Sequence, residues 1–429
     1  MNKSIIVRSI MAIILFLYPV STLVIKQLNG PLFTVTTLLG LWYTITQWQH
    51  RTPITQQEKL IYVSVGLFFL SALVATYFGG LNKEAIKGLE VLSHLLLLIP
   101  ITIGLRHIGI NFLALWTGLA AGSIITGIFI CYLIFWKEIP RAGNMTAATI
   151  VGKLSLLMGY MSLVGISWFK EKNKWLTLIP VGAFCFGLLS SLLSLTRGSW
   201  LAIPFLLFIF FRYRPFQFSK KTLALVLSII TITTILIYNA PPTKIENRLK
   251  KTTSDIRTYL TRDKSDLNAK PSASVPRFEI WQAAWTIYTE HPITGTGWGH
   301  FKEYTQAQVN DGKRHPIAAQ FKCAHNQFLS VMANGGTTTL VALLFFLVSS
   351  IVFFKKTLKL SSDPTAQRAA LSGLLLIVAF IIFNLTDSLF ERSRTINFFT
   401  FYLAVFLASI PTQRTAPVTP TTRPQHPHY

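Results

Sequence analysis

ALSGLLLIVAFIIFNLT, residues 370–386, is a stretch whose reading decides the fold. It carries no charged side chain from end to end, and its length suits a helix crossing a ~30 Å hydrocarbon core at about 1.5 Å per residue. Working outward, comparable apolar runs recur at 9–25, 30–47, 60–78, 86–105, 108–136, 149–168, 174–195, 199–211, 221–239, 326–354 and 395–410. Only helices or closed barrels satisfy their backbone polar groups in lipid, and these runs are too long for barrel strands. The expectation is an all-α polytopic membrane protein with about twelve transmembrane helices. One long polar segment, 240–325, interrupts them and is expected to contain short helices.

Composition agrees. Hydrophobic residues make up 51% of the chain and charged residues 13%, about half the charged share of a soluble domain. Mean hydropathy is +0.48. The net charge of +24 is spread over short loops rather than gathered on one basic face, so nucleic acid is not an expected partner. Three cysteines, Cys131, Cys185 and Cys323, offer no disulfide framework. No H-E-x-x-H, D-x-D or close acid/histidine cluster marks a metal site, and no Walker-type loop marks a nucleotide site.

Sidedness follows from the loops. One set carries Lys170, Lys172 and Lys174, then Arg212, Arg214, Lys220 and Lys221, then Lys355, Lys356, Lys359 and Arg368. The opposite short loops carry fewer cations, among them Lys83, Lys87, Arg197, Arg392 and Arg394. The positive-inside rule therefore puts both termini in the cytoplasm and the long segment outside. The expected division is spans 1–239, loop 240–325, spans 326–411 and a disordered Pro/Thr-rich tail 412–429.

Within the loop, 245–260 reads as an imperfect amphipathic helix, either surface-bound or simply solvated. Arg277–Tyr288 reads as a helix with an aromatic stripe, Phe278, Trp281, Trp285 and Tyr288, which favours packing against the membrane face or the loop's own core over sugar stacking. Gly295-Thr-Gly297-Trp-Gly299 supplies a turn where backbone can approach a ligand closely.

A few charged or titratable residues at span edges need a reason. Arg197, in LSLTRGSWLA, suits equally an arginine snorkelling to headgroups and a fixed cation for phosphate oxygens. Arg277 starts a helix, where the dipole does not favour it; with an anion bound, guanidinium and helix N–H groups would act together. His325 lies where the loop re-enters the membrane, with Asn326 at the helix start, as a general base or as a hydrogen-bonded boundary histidine. Asp387 is the outstanding acid of the outer face, placed to orient His325 or to pair with Arg392, Arg394 or Arg197.

Taken together these residues resemble the O-antigen ligase family of bacterial envelope glycosyltransferases, whose superfamily also holds O-antigen polymerases and protein O-oligosaccharyltransferases. The matching motifs are Thr196-Arg-Gly198, Arg277-x-x-x-Trp281-x-x-Ala284, and Pro292 with Gly295-x-Gly297-x-Gly299 ending in Phe301. His325-Asn326 followed by Gly335-Gly336-Thr337-Thr338 completes the set. The resemblance implies a GT-C-like architecture in the bacterial inner membrane, with the large loop periplasmic. It implies transfer of a polysaccharide from undecaprenyl pyrophosphate to a sugar hydroxyl of lipid A–core, without metal or cofactor and with inversion. It carries over Arg197 and Arg277 as pyrophosphate contacts and His325 as the base or acceptor-activating residue. Beside them, the reading of the residues themselves sets Asp387, Asn326 and Gly297 as supporting candidates. Polymerase and protein-glycosylating relatives would share these motifs. A transporter of lipid-linked oligosaccharide would instead need charges along its spans, which are nearly uncharged apart from Lys153.

Overall fold

The computed structural model describes residues 3–25, 27–47, 49, 53–139, 147–213, 228, 231 and 275–411. Among them every regular element is helical. In chain order these are α1 Lys3–Val24, α2 Asn29–Thr46, α3 Gln56–Gly79, α4 Lys83–Ser93, α5 Leu98–Ile108, α6 Phe112–Cys131, α7 Ala148–Val164, α8 Ile166–Lys172, α9 Leu178–Leu193, α10 Arg197–Trp200 and α11 Ala202–Arg212. From Val275 onward come α12 Val275–Glu290, α13 Phe301–Asn310, α14 Gln327–Leu360, α15 Pro364–Asn384 and α16 Ser393–Ala408.

Among the described residues seven helices are long and apolar enough to cross a membrane, or eight if the bent pair α7–α8 is one span. This is a multi-pass membrane protein, and the shortfall from about twelve has visible sources. Apart from residues 228 and 231, the run at 221–239 lies outside the described residues, as do the helix expected at 245–260 and the tail 412–429. The runs at 199–211 and 395–410 form helices of 11 and 16 residues, shorter than a straight crossing needs.

Lipid gives helices no hydrophobic reason to associate, so small residues that let backbones close up decide who packs with whom. A Cβ on Gly118 would lie 2.7 Å from the Leu15 carbonyl oxygen and one on Gly122 2.8 Å from Pro19, which locks α6 onto α1. Gly187 meets the Ser155 carbonyl oxygen at 2.6 Å in the same sense, bringing α9 onto α7. The helices α7, α15 and α16 are buried on nearly every side and form the centre of the bundle. Lipid-facing positions such as Leu38, Val63, Leu70 and Val348 stay exposed and apolar.

Two polar devices fix the end of the bundle away from the loop. Thr55 and Glu58 cap α3 reciprocally, and the second oxygen of Glu58 takes Arg106 from α5. Arg368, near the start of α15, pairs with Glu171 and donates to Ser167 Oγ at 2.9 Å. At the other end α14 breaks at Gly336, whose backbone (φ 63°, ψ −164°) is far from helical. The glycine turn occupies that break: Thr296 and Gly297 donate to the Ala333 and Asn334 carbonyls at 3.0 and 2.8 Å, while Thr337 donates back to Pro292 at 2.8 Å.

Candidate functional site

The site is assembled where α15 ends. Asn384 Oδ1 accepts from Leu389 N–H at 3.0 Å, which curls the chain after the helix and turns Asp387 inward. The opening of α14 is stitched to this curl: Gln327 N–H donates to the Asp387 carbonyl at 3.1 Å and Phe390 N–H to Gln327 Oε1 at 2.9 Å. Ser330 and Ser388 hydroxyls meet at 3.0 Å. Asn326 caps α14, its Oδ1 accepting from Phe328 and Leu329 N–H at 3.0 and 3.2 Å. His325, just before the cap, is held at φ 48°. That left-handed backbone is costly for a residue with a side chain and is sustained by the stitching around it.

Asp387, only 2% exposed, is the hub. Lys153 Nζ of α7 lies 3.1 Å from its Oδ2, and Arg392 Nη2 lies 3.1 Å from its Oδ1. His325 Nδ1 faces Oδ1 at 3.4 Å, while Ser388 N–H donates to the same oxygen at 3.0 Å. Burial raises the carboxyl, but the bond from His325 and the charges of Lys153 and Arg392 outweigh it and hold Asp387 well below the usual carboxylate range. A carboxylate facing Nδ1 favours the proton there, which leaves a lone pair on Nε2. The imidazole is about a quarter exposed (28%).

Both sequence-predicted arginines come to this place. The Thr196-Arg197-Gly198 turn is seated between α7 and the curl. Thr196 Oγ1 donates to the Ala148 carbonyl at 3.1 Å, and a Cβ on Gly152, next to Lys153, would strike Ser194 Oγ at 2.2 Å. On the other side a Cβ on Gly198 would strike Thr386 Oγ1 at 2.1 Å, so only glycine lets Arg197 ride directly beside Asp387's turn. Arg277, at the start of α12, bears electrostatically on Lys153. Glu391 is the second acid of the curl. Burial pushes its carboxyl up to about 7 against hydrogen bonds from Ser330 and Cys323, so near neutral pH it carries only part of a negative charge. Burial also pushes the Cys323 thiol up to about 12.

Three expectations change. Asp387 pairs with His325 and Arg392 as expected, but its buried partner is Lys153, which reads in sequence only as an isolated charge near the start of a span. Gly297 is engaged within the protein. Its N–H is spent on Asn334, and a Cβ there would lie 3.1 Å from Thr76 Cα, so the close approach of the glycine turn is to the protein's own helices. On α12 the face turned to the core is Ile280, Ala283, Ala284 and Ile287. The aromatic stripe flanks it, with Trp281 against the small core and Trp285 53% exposed. His300 and Lys322, which sequence did not single out, dock the loop: His300 Nε2–H donates to the Gly80 carbonyl at 2.8 Å, and Lys322 pairs with Glu84 at 2.9 Å.

Residues 181–344 match the family model described as "O-Antigen ligase". Over that segment the chain is similar to the O-antigen ligase family. Members of that family are membrane enzymes of glycosyltransferase type. The matched segment contains Arg197, Arg277 and His325, whereas Lys153, Asp387 and Arg392 lie outside it. An uncharacterized protein of Haemophilus influenzae is 27% identical over 300 residues, covering 70% of this chain and 73% of that relative.

Proposed function

We propose that the chain is an O-antigen ligase. It transfers a polysaccharide from undecaprenyl pyrophosphate to a sugar hydroxyl of lipid A–core at the periplasmic face of the bacterial inner membrane, during lipopolysaccharide biosynthesis. The observation that carries this reading is the cation cluster beside His325. One ionised carboxylate, Asp387, faces Lys153, Arg392 and His325 directly, and Arg277 bears on Lys153. Preorganised cations next to a titratable imidazole suit an anionic leaving group.

In the reaction, His325 Nε2 takes the proton of the acceptor hydroxyl as its oxygen attacks the anomeric carbon. The bond from that carbon to the pyrophosphate oxygen breaks, and its electron pair leaves with undecaprenyl pyrophosphate. Arg197 and Arg277 hold the leaving oxygens, and Asp387 stabilises the imidazolium, which then loses its proton to water. Pyrophosphate is already a good leaving group, so no metal or cofactor is needed. A single displacement inverts the anomeric centre.

Deleting the gene and resolving lipopolysaccharide on a gel tests the assignment. A ligase leaves uncapped core while lipid-linked polymer accumulates; core bearing one repeat unit would make it a polymerase, and unaltered lipopolysaccharide with lost protein glycans a protein glycosyltransferase. Purified protein should transfer unchanged in the presence of a chelator.

A further inference from the structure

Helix α7 carries one charged side chain, Lys153, and it lies in a fully enclosed stretch. Every residue from Ile150 to Val164 is buried, and the Lys153 side chain is 1% exposed. It therefore touches no substrate directly. Its ammonium has two acceptors: Asp387 Oδ2 at 3.1 Å and the Phe383 carbonyl, in the last turn of α15, at 3.2 Å. A buried ion pair is a weak source of stability, because well-packed apolar residues in its place are often as good or better. Helix packing alone is thus a poor reason for a lysine at this point.

The two oxygens of Asp387 divide their partners. Oδ2 takes Lys153, whereas Oδ1 takes Ser388 N–H at 3.0 Å, Arg392 at 3.1 Å and His325 Nδ1 at 3.4 Å. An aspartate carboxylate turns easily about its last bond. Lys153 reaches it from α7 and Ser388 from the curl after α15, so its plane is pinned from two sides. Arg392, 31% exposed, and His325, 28% exposed, are the partners open to a substrate. Lys153 is the charged partner that no substrate can draw away.

We infer that Lys153 is a positioning residue of the transfer reaction: by holding Oδ2 it keeps Oδ1 of Asp387 turned to His325 Nδ1 while substrates come and go. The inference rests on His325 being the base of the proposed reaction. It does not depend on which acceptor receives the glycan.

The test measures transfer by the full-length protein in detergent, with lipid-linked donor and lipid A–core acceptor, for wild type, Lys153→Met, Asp387→Asn and the double variant. Lys153→Met should lower kcat by about tenfold to a hundredfold, the scale of a misplaced catalytic group, with both KM values within about twofold. In the double variant kcat should match that of Asp387→Asn within about twofold, because a residue that acts through Asp387 has nothing left to act on. A merely structural role would instead add its own loss to that of Asp387→Asn. Losses that multiply in the double variant overturn the inference, as does a loss confined to KM. So does a Lys153→Met kcat within about twofold of wild type. Should Lys153→Met fail to reach the membrane, Lys153→Gln, which keeps a donor for the Phe383 carbonyl, takes its place in the same cycle. If wild type leaves lipid A–core uncapped but moves the glycan to another acceptor, the ligase reading alone fails and the cycle is read on that reaction. Wild type inactive towards every acceptor overturns both.

Discussion

The two ends of α15 carry buried charge in opposite ways. Near its start Arg368 meets Glu171, and elsewhere in the bundle Arg106 meets Glu58. Each of these cations has its own carboxylate and donates to a further acceptor as well, Ser167 Oγ and the Leu407 carbonyl. Past the other end, about 28 Å away at 1.5 Å per helical residue, a single carboxylate serves Lys153, Arg392 and His325. Closed pairs satisfy themselves and need no ligand. Past the far end the buried Lys153 is matched by Asp387, while Arg392 and His325, which share that carboxylate, are 31% and 28% exposed and so open to an arriving anion. The difference separates scaffold from site using the same residue types.

The largest effect should come from the base. His325→Ala should lower transfer by about 10²–10⁴-fold with the protein still in the membrane; full activity of that variant would remove His325 from the mechanism. Next come the arginines. Arg277→Lys and Arg197→Lys keep the charge but lose the planar fork, and each should cost about tenfold to a hundredfold in kcat/KM for the donor. A loss seen only in acceptor KM would contradict their placement on the pyrophosphate.

The comparison itself can be broken by neutralising one acid at each end. Glu58→Gln strands Arg106, whose side chain is 5% exposed. It should cost about 3–5 kcal/mol of stability, read as a lower Tm, with activity per folded molecule unchanged. Asp387→Asn should cut kcat, because His325 loses its orienting carboxylate, without raising donor KM, because the cations remain. Equal behaviour of the two variants would dissolve the distinction between the ends.

The smallest effect is a pH dependence of stability. Glu391 has its folded value raised to about 7 by burial from an ordinary 4.5, so its contribution is complete below about pH 4.5 and is lost as pH rises through 7. Asp387 is shifted the other way, so its contribution is present above its ordinary 3.8 and is lost only as pH falls below that. Between pH 5 and 8 the slope therefore belongs to Glu391. Tm should fall across that range in wild type and fall less in Glu391→Gln; identical slopes would show that Glu391 does not ionise there.

Much of this was legible in the chain. A run such as 370–386 has one way to satisfy its backbone in lipid, so helices and membrane follow from apolar length alone. Arg197, Arg277 and His325 stand out because charge and titratable groups at span edges are expensive, and Asn326 reads as a cap because its amide oxygen can take the first free N–H groups. Local rules reach no further. The glycines of 295–299 looked like a place for a ligand because sequence shows that backbone can come close, not to what; the partner is the break in α14 at Gly336.

By itself, then, the sequence determined the membrane helices and the cationic and basic residues at their edges, because burying backbone and charge in hydrocarbon is governed by local composition. Only the tertiary structure decided that Lys153 and Asp387, 234 residues apart, share one buried pair beside His325. An ion pair depends on distance in space, and in this bundle that distance is set by glycines that let α7, the Arg197 turn and the end of α15 close upon one another.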